Sequence, residues 1–365
     1  MKKKIIILGS TGELGSKLLK SIDLSYYEIF ASTCFTNKTK IKRQQIKYNI
    51  RHIFCLSDEF HYKKFLDLLK NKIDIIYFLD FGSYSLIYLD KFLKFNKKSI
   101  VAIANKEMII AGGFFLVNKL KKTQNKLIPL DSEHFSLINS NIHNKKIDRV
   151  YITASGGPFY FKKNKDFNKV SFKEVINHPK WKMGINNSID SSNFVNKVLE
   201  MIELSIIFNI DIEKIDFLLS KEAFIHSLII YGSSTISVNA FKNDMLIPLL
   251  EPLGTSNRIK FNSYDLNSIF KLTNFKLEKY NDNRFKIIKY IPLIKSFNQS
   301  GHINFMLLNN IAQRLYINKK LNYNKIVNFI IYNVKKETNN KKFKSFDSIL
   351  DYIKSINNKY EKIFF

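Results

Sequence analysis

"KKKIIILGSTGELGSKLLKSI", residues 2–22, is the stretch that decides the fold. Ile5, Ile6, Ile7 and Leu8 form a short unbroken apolar run, the pattern of a strand buried on both faces. Gly9, Gly12 and Gly15 follow with G-x-x-G-x-x-G spacing, and Leu14, Leu18 and Leu19 then recur at helical intervals. Strand, glycine turn and helix open a βαβ unit. Glycines there let the turn close and let backbone N–H groups approach a pyrophosphate at the helix amino terminus. Gly9, Ser10, Thr11, Gly12, Glu13 and Leu14 are therefore candidate contacts for a dinucleotide. A tight turn without a ligand has the same spacing, and Glu13 would repel an anion unless its side chain turns away.

Working outward, "YYEIFAST" reads as a second strand, followed by "CFTNK". The acid that binds a ribose hydroxyl in NAD sites is missing at its end. Thr36, Asn37 and Lys38 suit a 2′-phosphate better, which favours NADP. Helical "DEFHYKKFLDLLKNK", strand "IDIIYFLDFG", helix "LIYLDKFLKFNKK", strand "SIVAIAN", helix "EMIIAGGFFLVNKLKKTQ" and strand "KLIPL" then alternate. That alternation is the signature of an α/β, doubly wound Rossmann-like sheet. Beyond about Asn139 the pattern changes to a central α+β domain. "IDRVYITASGGPFYF" reads as a strand and a glycine loop, "NHPKWKMGINNSID" as a loop, "SSNFVNKVLEMIELSIIF" as a helix, and "AFIHSLIIYGSSTISVNA" as two strands. Helical periodicity in "HINFMLLNNIAQRLYI" and "KIVNFIIYNVKKE" predicts a small helical carboxyl-terminal domain. The expected division is 1–130, 131–254, a linker over 255–290, and 291–365.

The bulk numbers fit this picture. A chain of 365 residues with 45% hydrophobic and 25% charged residues folds around sizeable cores. The formal charge of +28 comes from 59 Lys+Arg against 31 Asp+Glu. The lysines are scattered beside Asn, Ile, Phe and Tyr, which reads as a drift toward A/T-rich codons rather than a nucleic-acid face. Cys34 and Cys55 have no paired spacing, so neither a disulfide framework nor a zinc knuckle follows, and a cytoplasmic compartment fits. The apolar runs are too short or too interrupted for a signal peptide or a membrane span.

"PLDSEH" ends the last strand of the series in acids. Side chains at i and i+2 of a strand share a face, so Asp131 and Glu133 are expected to project together at the carboxyl end, where open α/β sheets bind ligands. Paired carboxylates repel, and a hard divalent cation, Mg²⁺ or Mn²⁺, would relieve the repulsion. A solvated acidic loop is the bland alternative. In "DSSNFVNKVLEMIEL", Asn193, Asn196, Lys197 and Glu200 fall on one helix face, with Ser191 and Ser192 at its start, where an anion can be met. An amphipathic surface helix with a Lys197–Glu200 pair reads equally from the same residues. Ser155 with Gly156 and Gly157 can offer a hydroxyl and N–H groups to an anion. Trp181 in "HPKWKMG" suits either a core or a flap.

Five stretches, "LGSTGELG", "ANKE", "LDSEH", "ASGGPF" and "HPKWKMGINNSIDSSNFVNKVLEMIE", together resemble the 1-deoxy-D-xylulose-5-phosphate reductoisomerase family in order and spacing. The resemblance spans residues 1 to about 203. It implies an NADPH-dependent enzyme, working as a homodimer with Mg²⁺ or Mn²⁺, that turns the keto sugar phosphate into 2-C-methyl-D-erythritol 4-phosphate. It carries metal ligation onto Asp131, Glu133 and Glu200. It carries substrate binding onto Ser132, Ser155, His178, Trp181, Ser191, Asn196 and Lys197. It places Lys106, Glu133 and His178 at the chemistry, and Asn105, Lys106, Glu107, Met183 and Gly184 beside the cofactor. The chain departs from the family at "CFTNK", where a Gly-Lys-Asn is usual, at Ile185 and Asn186, where a basic pair is usual, and at "SKEAFIHS" and "NNIA".

Overall fold

The apolar run of residues 5–8 is the centre of β1 (Lys3–Leu8) in the computed structural model, which describes residues 2–140, 146–160, 162, 166–178, 184–232, 234–254, 276–280, 283–337 and 340–365. β2 (Tyr27–Cys34), β3 (His52–Cys55), β4 (Ile75–Phe78), β5 (Ile100–Ile103) and β6 (Lys126–Pro129) complete a parallel sheet of order β3-β2-β1-β4-β5-β6. The strand order reverses between β1 and β4, the place where doubly wound folds take a nucleotide. β1 and β4 are buried on both faces, which is why they read as continuous apolar runs. Ile5, Ile7, Leu18, Leu19, Ile29, Ile75, Tyr77 and Ile128 form the core. Leu249, Leu250 and Leu253 join it from the short helix Leu246–Leu250 and the turn after it. The Tyr77 hydroxyl donates to the carbonyl of Leu249 at 3.0 Å, and Tyr27 does the same for Leu253. Residues 242–254 therefore group with Met1–Ile138 as one unit.

The second unit holds Asn139–Phe241 and the described residues from 276 onward. Its sheet has β7 (Ile147–Ala154), β8 (Ile215–Leu219), β9 (Ile225–Tyr231) and β10 (Thr235–Ala240) in the order β10-β9-β7-β8. β7 and β8 are parallel, and the other pairings are antiparallel. The helix Val195–Phe208 is buried along nearly its whole length. The helices Gln299–Ile317, Ile326–Val334 and Phe346–Phe364 belong to this unit too.

Three local features differ from the sequence reading. The very polar helix Lys38–Tyr48 and the four-residue β3 give little apolar pattern, and the sequence did not announce them. Residues 185–190, expected as a loop, and Ser191 and Ser192, expected to start the next helix, together form the helix Ile185–Ser192. The break falls at Phe194, whose φ of 67° is left-handed and cannot continue a helix. Trp181 and Met183, and residues 255–275 and 281–282 of the expected linker, lie outside the described residues.

Candidate active site

The three glycines of the opening turn have three different reasons. A Cβ on Gly9, whose φ is +74°, would sit 2.6 Å from the Leu79 carbonyl oxygen at the end of β4. A Cβ on Gly15 would sit 2.5 Å from the Ser10 Cα, so Gly15 lets the helix Glu13–Ser21 close on the turn. On Gly12 it would meet only the Gly9 carbonyl, at 3.2 Å, which leaves that face open to an approaching group. This division matches a turn built for a pyrophosphate at the helix amino terminus. Glu13 leans along its helix toward Lys17, at 3.9 Å, which answers the expected repulsion. Leu14 packs against the core.

Helix Lys38–Tyr48 is pinned to this turn. The buried Ser10 hydroxyl donates to Gln44 at 3.0 Å, Gln44 Nε2 returns a bond to the Ser10 carbonyl at 2.9 Å, and Lys40 Nζ reaches the Thr11 carbonyl at 2.6 Å. Asn37 uses its side-chain oxygen to cap the helix, accepting from the Lys40 N–H at 3.0 Å. Lys38 reaches Asp58 at 3.5 Å on the surface.

Asn105 is buried and caps the helix Lys106–Lys122, accepting from the Met108 N–H at 2.9 Å. Its Nδ2 donates to the Gly82 carbonyl, Ser85 Oγ and Asp80 Oδ1 at 3.1, 3.2 and 3.3 Å. Glu107 is buried on the first turn of the same helix. Burial pushes the Asp80 carboxyl up to about 6, against the pull of Ser85 and Asn105. Sequence reasoning missed Asp80. Its only signal was its position just past a buried strand in "FLDFG".

At the end of β6 the strand stops at Pro129, and Asp131 caps the helical turn Ser132–Phe135, accepting from the Glu133 N–H at 3.3 Å. The expected pairing of Asp131 and Glu133 is present, with carboxylate oxygens within 4.8 Å, but the turn produces it and not strand alternation. Lys106 Nζ lies 2.7 Å from Asp131 Oδ2. Burial alone would raise the Asp131 carboxyl, but the Lys106 ammonium, with His134 and Glu133, outweighs it and holds the group well below the usual carboxylate range. Ser132 Oγ donates to Glu133 Oε2 at 2.5 Å.

The second unit gathers its own set. Lys197 and Glu200 are 6% and 2% exposed, and the ammonium and carboxylate meet at 2.5 Å. Lys197 also donates to the Thr153 carbonyl at 2.6 Å, and Asn196 Nδ2 donates to Glu200 Oε1. The pair is thus part of the core and not a solvated surface helix. Ser155 Oγ and His178 Nε2 are 3.2 Å apart. Burial, then the Lys197 charge, pushes the His178 ring down to about 4, so it is neutral near pH 7. A Cβ on Gly157, whose φ is +58°, would sit 2.7 Å from the Ser191 carbonyl, so the glycine lets the loop after β7 lie against the end of the helix Ile185–Ser192. Ser155, His178, Ser191, Asn196, Lys197 and Glu200 thus share one region. Gly184 is an exposed cap of the helix Ile185–Ser192.

The model of the 1-deoxy-D-xylulose 5-phosphate reductoisomerase C-terminal domain matches residues 127–208, which include both acidic sets. The 1-deoxy-D-xylulose 5-phosphate reductoisomerase of Pelagibacter ubique (strain HTCC1062) is 31% identical over 390 residues, covering 97% of this chain and 97% of that protein. The chain belongs to the 1-deoxy-D-xylulose 5-phosphate reductoisomerase family. The reductoisomerase of Thermoanaerobacter pseudethanolicus is 29% identical, covering 99% of each chain. Solved reductoisomerases share the fold. One, in complex with NADPH, fosmidomycin and magnesium, has a TM-score of 0.86 at 24% identity, covering 99% of this chain and 97% of that one. The Zymomonas mobilis reductoisomerase in complex with NADPH has a TM-score of 0.84 at 22% identity, covering 100% of this chain and 99% of that one.

Proposed function

We infer that this reductoisomerase converts 1-deoxy-D-xylulose 5-phosphate to 2-C-methyl-D-erythritol 4-phosphate, using NADPH and a divalent cation. The observation that carries the reading is the full-length likeness to the Pelagibacter enzyme. The three-glycine turn fits the cofactor, because a side chain at Gly9 or Gly15 would collide with backbone and one at Gly12 would crowd the Gly9 carbonyl at 3.2 Å. We assign Gly9, Ser10, Thr11, Gly12, Glu13, Leu14, Asn105, Lys106, Glu107, Met183 and Gly184 to the cofactor. The buried Ser10 acts by holding the turn to Gln44.

We assign Asp131, Glu133 and Glu200 to one Mg²⁺ or Mn²⁺. Carboxylate oxygens are the donors such cations prefer, and Asp131 stays ionised beside Lys106. When bound, the cation supplies Lewis-acid polarisation of the substrate's carbonyl, and NADPH supplies the hydride. The protein's side chains do the rest. Ser155, Ser191, Asn196 and Lys197 hold the phosphate end, fixing the far side of the substrate. Ser132 orients its oxygens. Neutral His178, hydrogen-bonded to Ser155, can accept or donate a hydrogen bond without adding charge. Lys106 places an ammonium at the reacting end, and we assign Trp181 to the substrate. In this division of labour residues 1–130 bind NADPH, 131–254 bind metal and substrate, 255–290 connect, and 291–365 provide helical support.

The enzyme works as a homodimer in the cytoplasm. β10 is the last strand of its sheet among the described residues, and it leaves Ile236 and Val238 61% and 53% exposed, which suits a second copy. Cys34 and Cys55 are free thiols, as a reducing compartment permits. Among the described residues no helix is long and apolar enough to cross a membrane. The test is NADPH oxidation with the sugar phosphate. Turnover that needs Mg²⁺ or Mn²⁺ and stops on chelation is expected, and no turnover with either metal overturns the reading.

A further inference from the structure

Between Ser191 and Asn196 the chain carries a residue to which the proposed substrate site gives no role. Asn193 is 6% exposed and lies at the break between the helices Ile185–Ser192 and Val195–Phe208. Its side-chain oxygen accepts the Val195 N–H at 3.0 Å, which fixes the amide: the oxygen faces the start of the longer helix, so Nδ2 points away from that N–H. Nδ2 is buried and has no hydrogen-bond partner among the described residues. A buried amide donor left unmatched is costly, and native proteins keep few of them. The left-handed Phe194 holds the break in place, with its ring 4.6 Å from that of Phe285 and 5.5 Å from that of Phe217.

The surroundings call for an anionic acceptor. Val195–Phe208 presents its amino terminus here, and its first turn carries no acid. Lys197 adds an ammonium one turn on. Of the acids on the two flanking helices, Asp190 accepts from Asn309 Nδ2 at 2.9 Å through Oδ2, and Glu200 is held by Lys197 and Asn196. We propose that Asn193 is a further phosphate-binding residue, its Nδ2 donating to an oxygen of the substrate's phosphate group. This rests on the reading of the second unit as a sugar-phosphate site.

Two substitutions separate this role from capping. Asn193→Ser and Asn193→Asp both keep an oxygen for the Val195 N–H, but the first removes the donor and the second places a charge against the phosphate. The KM for the sugar phosphate is expected to rise about tenfold in Asn193→Ser and on the order of a hundredfold in Asn193→Asp, with kcat and the KM for NADPH within about twofold. Inorganic phosphate, used as a competitor, should weaken in the same order. An unchanged substrate KM and unchanged phosphate competition in Asn193→Asp overturn the proposal and leave Nδ2 to a buried water. If the wild-type chain does not turn over the sugar phosphate, the proposed function fails. Calorimetric binding of inorganic phosphate to wild type and to Asn193→Asp then decides the role of Asn193 separately, with equal affinity overturning it.

Discussion

The first and second units solve the same problem, holding a carboxylate beside a lysine, in different ways. In the first, Lys106 and Asp131 keep side-chain exposures of 14% and 20%, and the pair sits on a capped turn at the end of a strand. In the second, Lys197 and Glu200 are at 8% and 2%, inside a helix that is buried nearly all round. The binding surface proposed for the first unit is built from backbone: glycines, caps and a helix amino terminus. The one proposed for the second is built from desolvated charges, each of which would be expensive alone. A backbone-built site is set by local sequence, whereas a charge-built site needs the tertiary fold to exclude water.

The contrast can be broken in four ways. Glu200→Gln keeps the shape and removes the charge. Turnover should fall on the order of a thousandfold while NADPH binding, measured by fluorescence, is unchanged. Near-normal metal-dependent turnover would remove Glu200 from the site. Lys197→Met leaves Glu200 buried without its cation and should cost about 3–5 kcal/mol in denaturant unfolding, whereas Lys106→Met should cost roughly 1 kcal/mol, because its pair is nearer solvent. Equal losses would erase the distinction between the units. Gly9→Ala sets a Cβ against the Leu79 carbonyl at a positive φ and should destabilise the first unit by about 2–4 kcal/mol, with hydrogen-exchange protection of β7 to β9 retained.

The smallest effect is in pH, and its sign differs between the units. His178 titrates near 4 when folded and near 6.5 when unfolded, so its contribution is complete above pH 6.5 and is lost as pH falls toward 4. Asp80 titrates near 6 folded and 3.8 unfolded, so its contribution is complete below 3.8 and is lost as pH rises through 6. Each full shift corresponds to about 3 kcal/mol, which solvent screening at these half-buried residues reduces to roughly 1–2 kcal/mol. Melting curves from pH 4 to 7 should tilt in opposite directions for His178→Asn and Asp80→Asn relative to wild type. Parallel curves would contradict both assignments.

The same contrast explains what the sequence revealed. The Rossmann-like sheet was legible because buried strands and a glycine turn are local patterns, and residues 2–22 held both. Helix Lys38–Tyr48 was not, since only Ile41 and Gln44 are buried on it and its remaining residues are mostly Lys, Arg, Gln and Thr. The acids at 131 and 133 were visible, but the capped turn that joins them was hidden behind a strand-like reading. Asn193, Asn196, Lys197 and Glu200 were read on one helix face; Asn193 instead lies at the break before Val195–Phe208, and the burial of the other three comes from packing that no local window contains. The break at Phe194 was illegible for a sharper reason: a bulky residue at positive φ is a conformation that its own preferences oppose, imposed by the rings around it.

The central proposal is that Asp131, Glu133 and Glu200 bind one divalent ion. Electron paramagnetic resonance of Mn²⁺ titrated into the protein tests it without any turnover. The account predicts a single tight site per chain in the wild type, lost both in Asp131→Asn and in Glu200→Gln. Mn²⁺ binding of wild-type strength in Glu200→Gln would contradict it.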